Sequence, residues 1–289
     1  MTLPALLLAG ALLQHTTITL SDDLARTLTL PAPARRVVSL APSITETLWA
    51  LGAGDQVVGV TDYCNFPPGA RTTRRVGGII NPSIETIVSL RPDLIILSME
   101  GNMRGDFQAL TGLGIPVFVT NPRTLGGIAR SMDDLGLLTG HADSATALSR
   151  SLLARAEAIQ KRSSPLPVTT VLLFVSLQPL IVAGSGTFVD QIIRWAGGAN
   201  LAAPLSSTYP SISREAVVSM NPDVMLFLSD VIPDTVQPSS VYPEWKTTGA
   251  FRRGRVIRID ADIISRPGPR AVNALESLFT ILHPSAAKP

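Results

Sequence analysis

The sequence predicts an α/β protein of two related lobes joined by a single long α-helix. Three observations carry this reading. Strand-like apolar runs alternate with amphipathic, helix-like segments along most of the chain. A phrase, E-x-[IV]-V-S-[LM]-x-P-D, is written twice, at 85–93 and again at 215–223. Between the copies runs a stretch, 141–162, with neither Gly nor Pro.

Composition sets the frame for these elements. At 289 residues the chain exceeds one typical domain, so two lobes are expected. Apolar residues make up 45% and charged residues 16%, which suits a packed globule and excludes a disordered chain. The net charge of +2 is scattered, with no basic run interleaved with aromatics, so nucleic acid is not an expected partner. Arginine carries nearly all the positive charge, the lysines being Lys161, Lys246 and Lys288, a skew we read as coding bias. A lone Cys64 excludes an internal disulfide and any multi-cysteine metal site.

Residues 1–34 read as an N-terminal segment. "MTLPALLLAGALLQ" has an apolar core of signal-peptide length, too short to span a bilayer. It lacks a preceding Lys or Arg and a clear A-x-A-like cleavage site, defects that a truncated start would explain. "TITLSDDLARTLTLP" then alternates about an acidic turn and predicts a β-hairpin.

The first lobe is expected over 35–140. "RRVVSLA" is a short buried strand, and "PSITETLWALGAG" a helix with Ser43 as N-cap, Glu46 completing a capping box and Gly52 closing it. Strand "DQVVGVTD", a short helix over 82–90, strand "DLIILS", a helix near 104–112, strand "IPVFVT" and a helix over 126–138 follow. Alternation of this kind predicts a largely parallel sheet.

The interlobe helix is placed at 141–164, its Gly- and Pro-free part ending at 162. Ala145, Leu148, Leu152, Ala156 and Ile159 share one stripe, and the run spans roughly 33 Å before "SSPLP" breaks it. A single helical link predicts little hinge motion. The second lobe, 165–289, repeats the plan: strand "VTTVLLFVS", helix "GTFVDQIIRWAGG", short helix "SREAVVSM", strand "PDVMLFLS", strand "RVIRID" and a last helix over 269–282. "ETLWALGAGD" and "QIIRWAGGAN" also match, Gly52 against Gly197, so two motifs recur in the same order and support duplication.

With Asn81 and Ser211 as N-caps, Glu85 and Glu215 fall in the first turn of each short helix. Ile87/Val88 and Val217/Val218 then face the core, while Glu85 with Ser89 and Glu215 with Ser219 face water. A carboxylate there complements the helix dipole by about 0.3–1 kcal/mol. That explains an acid in each first turn, and shared ancestry or a shared task explains the common slot.

"RVVSLAPSITETLWALGAGDQVVGVTDYCNFPP", "VGGIINPSIETIVSLRPDLIILS", "GSGTFVDQIIRWAGGANL" and "YPSISREAVVSMNPDVMLFLS" together resemble the helical-backbone class of substrate-binding proteins of ABC importers, nearest to its cobalamin-binding branch. The resemblance covers about 35 to 283. It implies two Rossmann-like lobes, a ligand cleft between them, an extracytoplasmic or periplasmic location, a monomer and no enzymatic activity. It implies as partners an ABC permease dimer with its ATPase subunits. One glutamate per lobe docks against permease arginines in that class, and these positions map onto Glu85 and Glu215. Cobalamin or a related corrinoid is the implied transported ligand, and no cofactor is expected. Tyr63 matches an aromatic lining the cleft, and Tyr209 matches a cleft tryptophan on the other lobe. Ile79 and Ser98 depart from the pattern, standing where tryptophans are expected. That leaves haem and iron–siderophore complexes as alternatives.

Further contacts are expected in the loops after strands, where open α/β sheets bind ligands. Ser43 lies there, although capping alone would account for it. Ser185, Gly186 and Thr187 in "AGSGT" present amides at a helix start suited to an anionic group, or form a plain turn. Arg266 in "SRPGPR" is a candidate for an anionic substituent, or an ordinary exposed loop arginine. A soluble α/β enzyme is the remaining alternative. It would need a base, and His15, His141 and His283 are too scattered to converge on one serine or one zinc. His141 is read as a helix-start residue. No D-x-H-x-x-G corrinoid-enzyme signature occurs.

Overall fold

The computed structural model describes residues 17–102, 104–232, 236 and 238–286. The signal-like stretch, and His15 with it, lies outside the described residues.

A hairpin of β1 (Ile18–Ser21) and β2 (Thr27–Leu30) leads into the first lobe. There β3 (Val37–Ser39), α1 (Pro42–Leu51), β4 (Val57–Val60), α2 (Ile84–Ser89), β5 (Leu94–Ser98), α3 (Arg104–Gly112), β6 (Val117–Thr120) and α4 (Leu125–Thr139) alternate as expected. The four strands form a parallel sheet in the order β4-β3-β5-β6. Helix α5 (Ala142–Ser163) carries the chain into the second lobe.

The second lobe holds β7 (Thr169–Leu177), β8 (Leu180–Val182), α6 (Phe188–Trp195), β9 (Gly198–Asn200), α7 (Arg214–Met220), β10 (Val224–Leu228), α8 (Pro238–Val241), α9 (Gly249–Arg252), β11 (Val256–Ile259), α10 (Ala261–Ile264) and α11 (Ala271–Leu282). Its parallel strands run β9-β7-β10-β11, the same order as in the first lobe, with β8 added antiparallel to β7. The strands β8 and β9 and the three short helices α8, α9 and α10 were not foreseen, because three or four residues carry too little periodicity to register.

The apolar strand runs follow from burial on both faces of a parallel sheet. Along β5, Leu94 and Ile96 enter one core while Ile95 and Leu97 enter the other. Along β10, Val224, Leu226 and Leu228 face one core, and Met225 and Phe227 the other. In the latter, Phe174 stacks on Phe227 at 4.5 Å beside a fully buried Trp245.

Helix α5 joins two cores. Ala145 is buried in the first lobe's core, while Leu152, Ala156 and Ile159 are buried in the second's. Helix α4 lies along it and is shared in the same way, Leu135 and Leu138 with the first core and Ile128 and Met132 with the second. The chain crosses once, yet a pair of packed helices spans the junction.

The repeated phrase has a structural explanation residue by residue. Ser83 and Ser213 cap α2 and α7, accepting from the amides of Thr86 and Ala216 at 3.2 and 3.1 Å. Asn81 and Ser211 therefore do not cap: isolated β-bridges pair Gly77 with Pro82 and Ile181 with Ser211, keeping that backbone extended. Six residues after each glutamate the chain turns left-handed, at Arg91 (φ 46°) and Asn221 (φ 45°). Two residues later Asp93 accepts from the amides of Arg35 and Arg36, and Asp223 from the amide and hydroxyl of Thr170. Each Asp thus pins the approach to the neighbouring strand, β3 or β7.

Two further details differ from expectation. Val88 is 42% exposed rather than buried with Ile87, because α2 meets the sheet for barely one turn. Ser43 does not cap α1. Pro42 occupies the first helical position and Ala41 the cap, with no side-chain bond, since proline's fixed φ starts the helix one residue earlier.

Candidate ligand cleft

A cavity of about 390 Å³ opens between the lobes, within the range of small-molecule sites. From the first lobe it is lined by Ala41, Pro42, Ser43, Tyr63, Ile79, Ser98, Glu100 and Gly101. From the second it is lined by Tyr209, Asp230, Ala261, Asp262, Ser265, Arg266 and Pro267. The strand-end loops after β3, β4 and β5 supply most of the first wall, as expected for an open α/β sheet.

Tyr63 is set by what holds its neighbours. Cys64 is fully buried, its sulfur 3.1 Å from the Thr45 hydroxyl and 3.2 Å from that of Thr61. The Arg75 guanidinium donates to the carbonyls of Thr61 and Cys64 at 2.7 and 3.0 Å. With Cys64 anchored inward, Tyr63 is left 59% exposed at the cavity.

Tyr209 is set by Gly184. The amide of Gly184 donates to the carbonyl of Thr208 at 2.8 Å, and a Cβ on it would meet the Ser207 carbonyl oxygen at 2.4 Å. Any side chain there would push the Tyr209 loop off β8. Burial pushes the Tyr209 phenol up to about 12; the nearby Glu100 charge adds to this and Arg123 opposes it. Glu100 is itself raised by burial, against the pull of Arg123.

The structure brings Ser43, Tyr63, Tyr209 and Arg266 to one cavity, together with Ile79 and Ser98. Ser185, Gly186 and Thr187 are not among its lining residues. Thr187 is buried and caps α6 by accepting from the Asp190 amide, while the Gly186 carbonyl accepts from Arg123 at 3.3 Å. The function of "AGSGT" visible here is Gly184's close approach to the Tyr209 loop.

Arg266 is not an exposed loop arginine. Its side chain is 11% exposed and donates to Glu46 and Asn65, both at 2.8 Å, and to Asp262. Arg270 adds two hydrogen bonds to Glu46, at 2.6 and 2.7 Å, and lies 4.4 Å from the centre of the Phe66 ring. Asn65 donates to Asp262 at 2.7 Å. Glu46, Asn65 and Phe66 come from one lobe and Asp262, Arg266 and Arg270 from the other, so this network closes the floor of the cleft. Glu46 was read in the sequence as a capping-box acid. The hint against it was two arginines four apart across a stiff Pro-Gly-Pro turn, a geometry that holds two guanidinium groups in place.

Neither described histidine lines the cavity. The His141 ring bonds the Thr139 carbonyl at the start of α5, and His283 is buried against Phe279. Among the described residues no group of three His, Cys, Asp or Glu is placed to hold a metal ion. No helix among them is long and apolar enough to cross a membrane. Glu85 and Glu215 are both exposed, away from the cavity. The Glu215 carboxyl is held below the ordinary range, chiefly by its own backbone amide and by the Ser213 hydroxyl.

Two α/β lobes, one crossing helix and an aromatic-lined cleft between them define a binding protein. The chain belongs to the periplasmic binding protein family, whose model matches residues 37–263. It is similar to the vitamin B12-binding protein of Yersinia pestis (strain Pestoides F), 30% identical over 252 residues, covering 87% of this chain and 88% of that one. Among solved structures it resembles the periplasmic vitamin B12-binding protein of Vibrio cholerae, with a TM-score of 0.79 and 28% identity, covering 89% of this chain and 99% of that one. It also resembles the apo haem-binding protein of Roseiflexus sp. RS-1, with a TM-score of 0.79 and 27% identity over 88% of this chain and all (100%) of that one.

Proposed function

We propose that this chain captures cobalamin or a related corrinoid outside the cytoplasm and delivers it to the permease dimer of an ABC importer, without catalysing a reaction. The observation that carries this is the pair Tyr63 and Tyr209, one from each lobe, both exposed at a single cavity. Two aromatic faces give a broad, flat ligand apolar contact at low rotamer cost. The similarity to vitamin B12-binding relatives supports the same reading. Ser43, Ser98 and Ser265 supply polar contacts along the walls.

Haem binders share the fold, so haem is the second reading. Tyr63 and Tyr209 are the phenols at the cavity that could then serve as an axial ligand to haem iron. Calorimetric titration of the purified protein against cobalamin, cobinamide, haemin and ferric siderophores decides between the readings. Corrinoid binding at one site with weaker or absent haemin binding is the expected result. Saturable binding of haemin or a ferric siderophore alone would overturn the corrinoid assignment.

A further inference from the structure

The cleft wall carries an unbalanced charge. Of its ionisable side chains Glu100, Asp230 and Asp262 are acidic and only Arg266 is basic. Arg266 is not available to a ligand: its guanidinium is engaged by Glu46, Asn65 and Asp262. Arg270, next along, is taken by Glu46. Within that floor two guanidinium groups meet the two carboxylates of Glu46 and Asp262, and the cluster is neutral.

Glu100 and Asp230 remain at the cavity, one from each lobe, and neither lies within ion-pair distance of a described cation. The cation that acts on Glu100 is Arg123, which also spends a donor on the Gly186 carbonyl.

We infer that Glu100 and Asp230 determine ligand specificity: they make the cleft reject flat tetrapyrroles bearing carboxylates and accept those whose periphery is neutral amide or whose net charge is positive. This rests on the assignment of the cleft as the ligand site. A peripheral amide donates N–H to a carboxylate, whereas a peripheral carboxylate meets it as a like charge that must be desolvated. Glu46 contributes indirectly. With Asp262 it neutralises Arg266 and Arg270, two cations of the cleft floor that would otherwise attract an anionic group.

The test compares one ring in two charge states. Haemin carries two ionised propionates where its dimethyl ester carries two neutral methyl esters on the same ring, and cobinamide serves as the amide-bearing corrinoid. A like charge a few ångströms away in a wet site costs roughly fivefold in affinity, so the parent should bind the diester about tenfold or more tightly than the diacid at low salt. In Glu100→Gln/Asp230→Asn that ratio should fall several-fold, with cobinamide binding weakened. Raising salt to about 0.5 M should narrow the ratio in the parent and leave the variant nearly unaffected. A ratio unchanged by the double substitution would show that the extra methyl groups alone set the preference, and would overturn the inference while leaving corrinoid binding intact. A parent that prefers the diacid would overturn it too. A shifted ratio without cobinamide binding would uphold the charge selection and sink the corrinoid assignment, and no binding of any tetrapyrrole would end both.

Discussion

The carboxylate of Glu46, 2% exposed in the first lobe, is gripped by Arg270 of the second through Nη2 at 2.6 Å and Nε at 2.7 Å. Such a pair is costly to break rather than strongly stabilising to have, because removing one partner leaves buried charge uncompensated. Glu46→Ala strands both Arg270 and Arg266 at the lobe junction. It should lower the unfolding free energy by about 3 kcal/mol, read from urea denaturation. A loss below about 1 kcal/mol would place the contact with ordinary surface ion pairs and remove its role in fixing the lobes.

The two cleft tyrosines should matter to binding and not to folding. Both are more than two-fifths exposed, so truncation removes less buried area than at a core aromatic. Loss of an aromatic at a binding hot spot can cost 2 kcal/mol or more, about thirtyfold in affinity. Tyr63→Ala and Tyr209→Ala should each weaken corrinoid binding on that scale in calorimetry while leaving the thermal midpoint unchanged. Unaltered affinity in both variants would remove the ligand from this cavity.

Asp223 links the repeated phrase to pH. Burial pushes its carboxyl upward, but the hydroxyl and amide of Thr170, with Arg253 and Arg255, outweigh that and hold it below the ordinary range. A carboxyl depressed in the folded state adds stability that is complete above its unfolded value, about 4, and is lost as pH falls through the folded value. At neutral pH Asp223→Ala should cost about 1–2 kcal/mol through the lost hydrogen bonds. As pH falls through the folded-state value, which lies below the ordinary carboxylate range, the gap between variant and parent should narrow, since the parent's carboxyl then becomes protonated. A gap that persists undiminished at low pH would mean that packing, not the charge, is what Asp223 supplies.

What was legible in the sequence follows from period and punctuation. Strands such as "DLIILS" and "PDVMLFLS" are buried on both faces, so they read as unbroken apolar runs, and Gly52 and Gly197 mark helix ends with φ of 89° and 85°. Duplication was legible as well, and the structure extends it: a Cβ on Gly52 would touch the His141 ring, and one on Gly197 the His283 ring. Each histidine sits at the end of a corresponding helix, a match too sparse in sequence to find. The cleft was half legible. Aromatics announced themselves by resemblance, whereas Glu46, Asn65, Asp262 and Arg270 did not. Their partners lie some 200 residues away along the chain, and no local period encodes which acid will meet which base.

The last prediction separates docking from binding. Glu85 and Glu215 occupy the same place in the repeat, two residues after their caps Ser83 and Ser213, and both are exposed. Neither carries a core contact or lines the cavity, so Glu85→Ala/Glu215→Ala should fold normally and bind corrinoid with parental affinity. The rest of the repeated phrase is accounted for within the chain, by caps, left-handed turns and strand-pinning aspartates. Among the described residues, Glu85 and Glu215 make no core or interlobe contact that explains their common slot. A partner with its own twofold symmetry would require it, since each lobe would present the same charge to an equivalent subunit. Carboxylates desolvated against arginines in a complex are severely missed when truncated, because their partners stay buried and unpaired. In proteoliposomes holding the cognate permease and its ATPase subunits, the double variant should lower ligand-stimulated ATP hydrolysis by at least about tenfold. Glu85→Arg/Glu215→Arg should be worse still, as like charges would then meet. Parental stimulation by the alanine variant, or a loss of corrinoid affinity as large as the loss of stimulation, would show that the two glutamates do not dock.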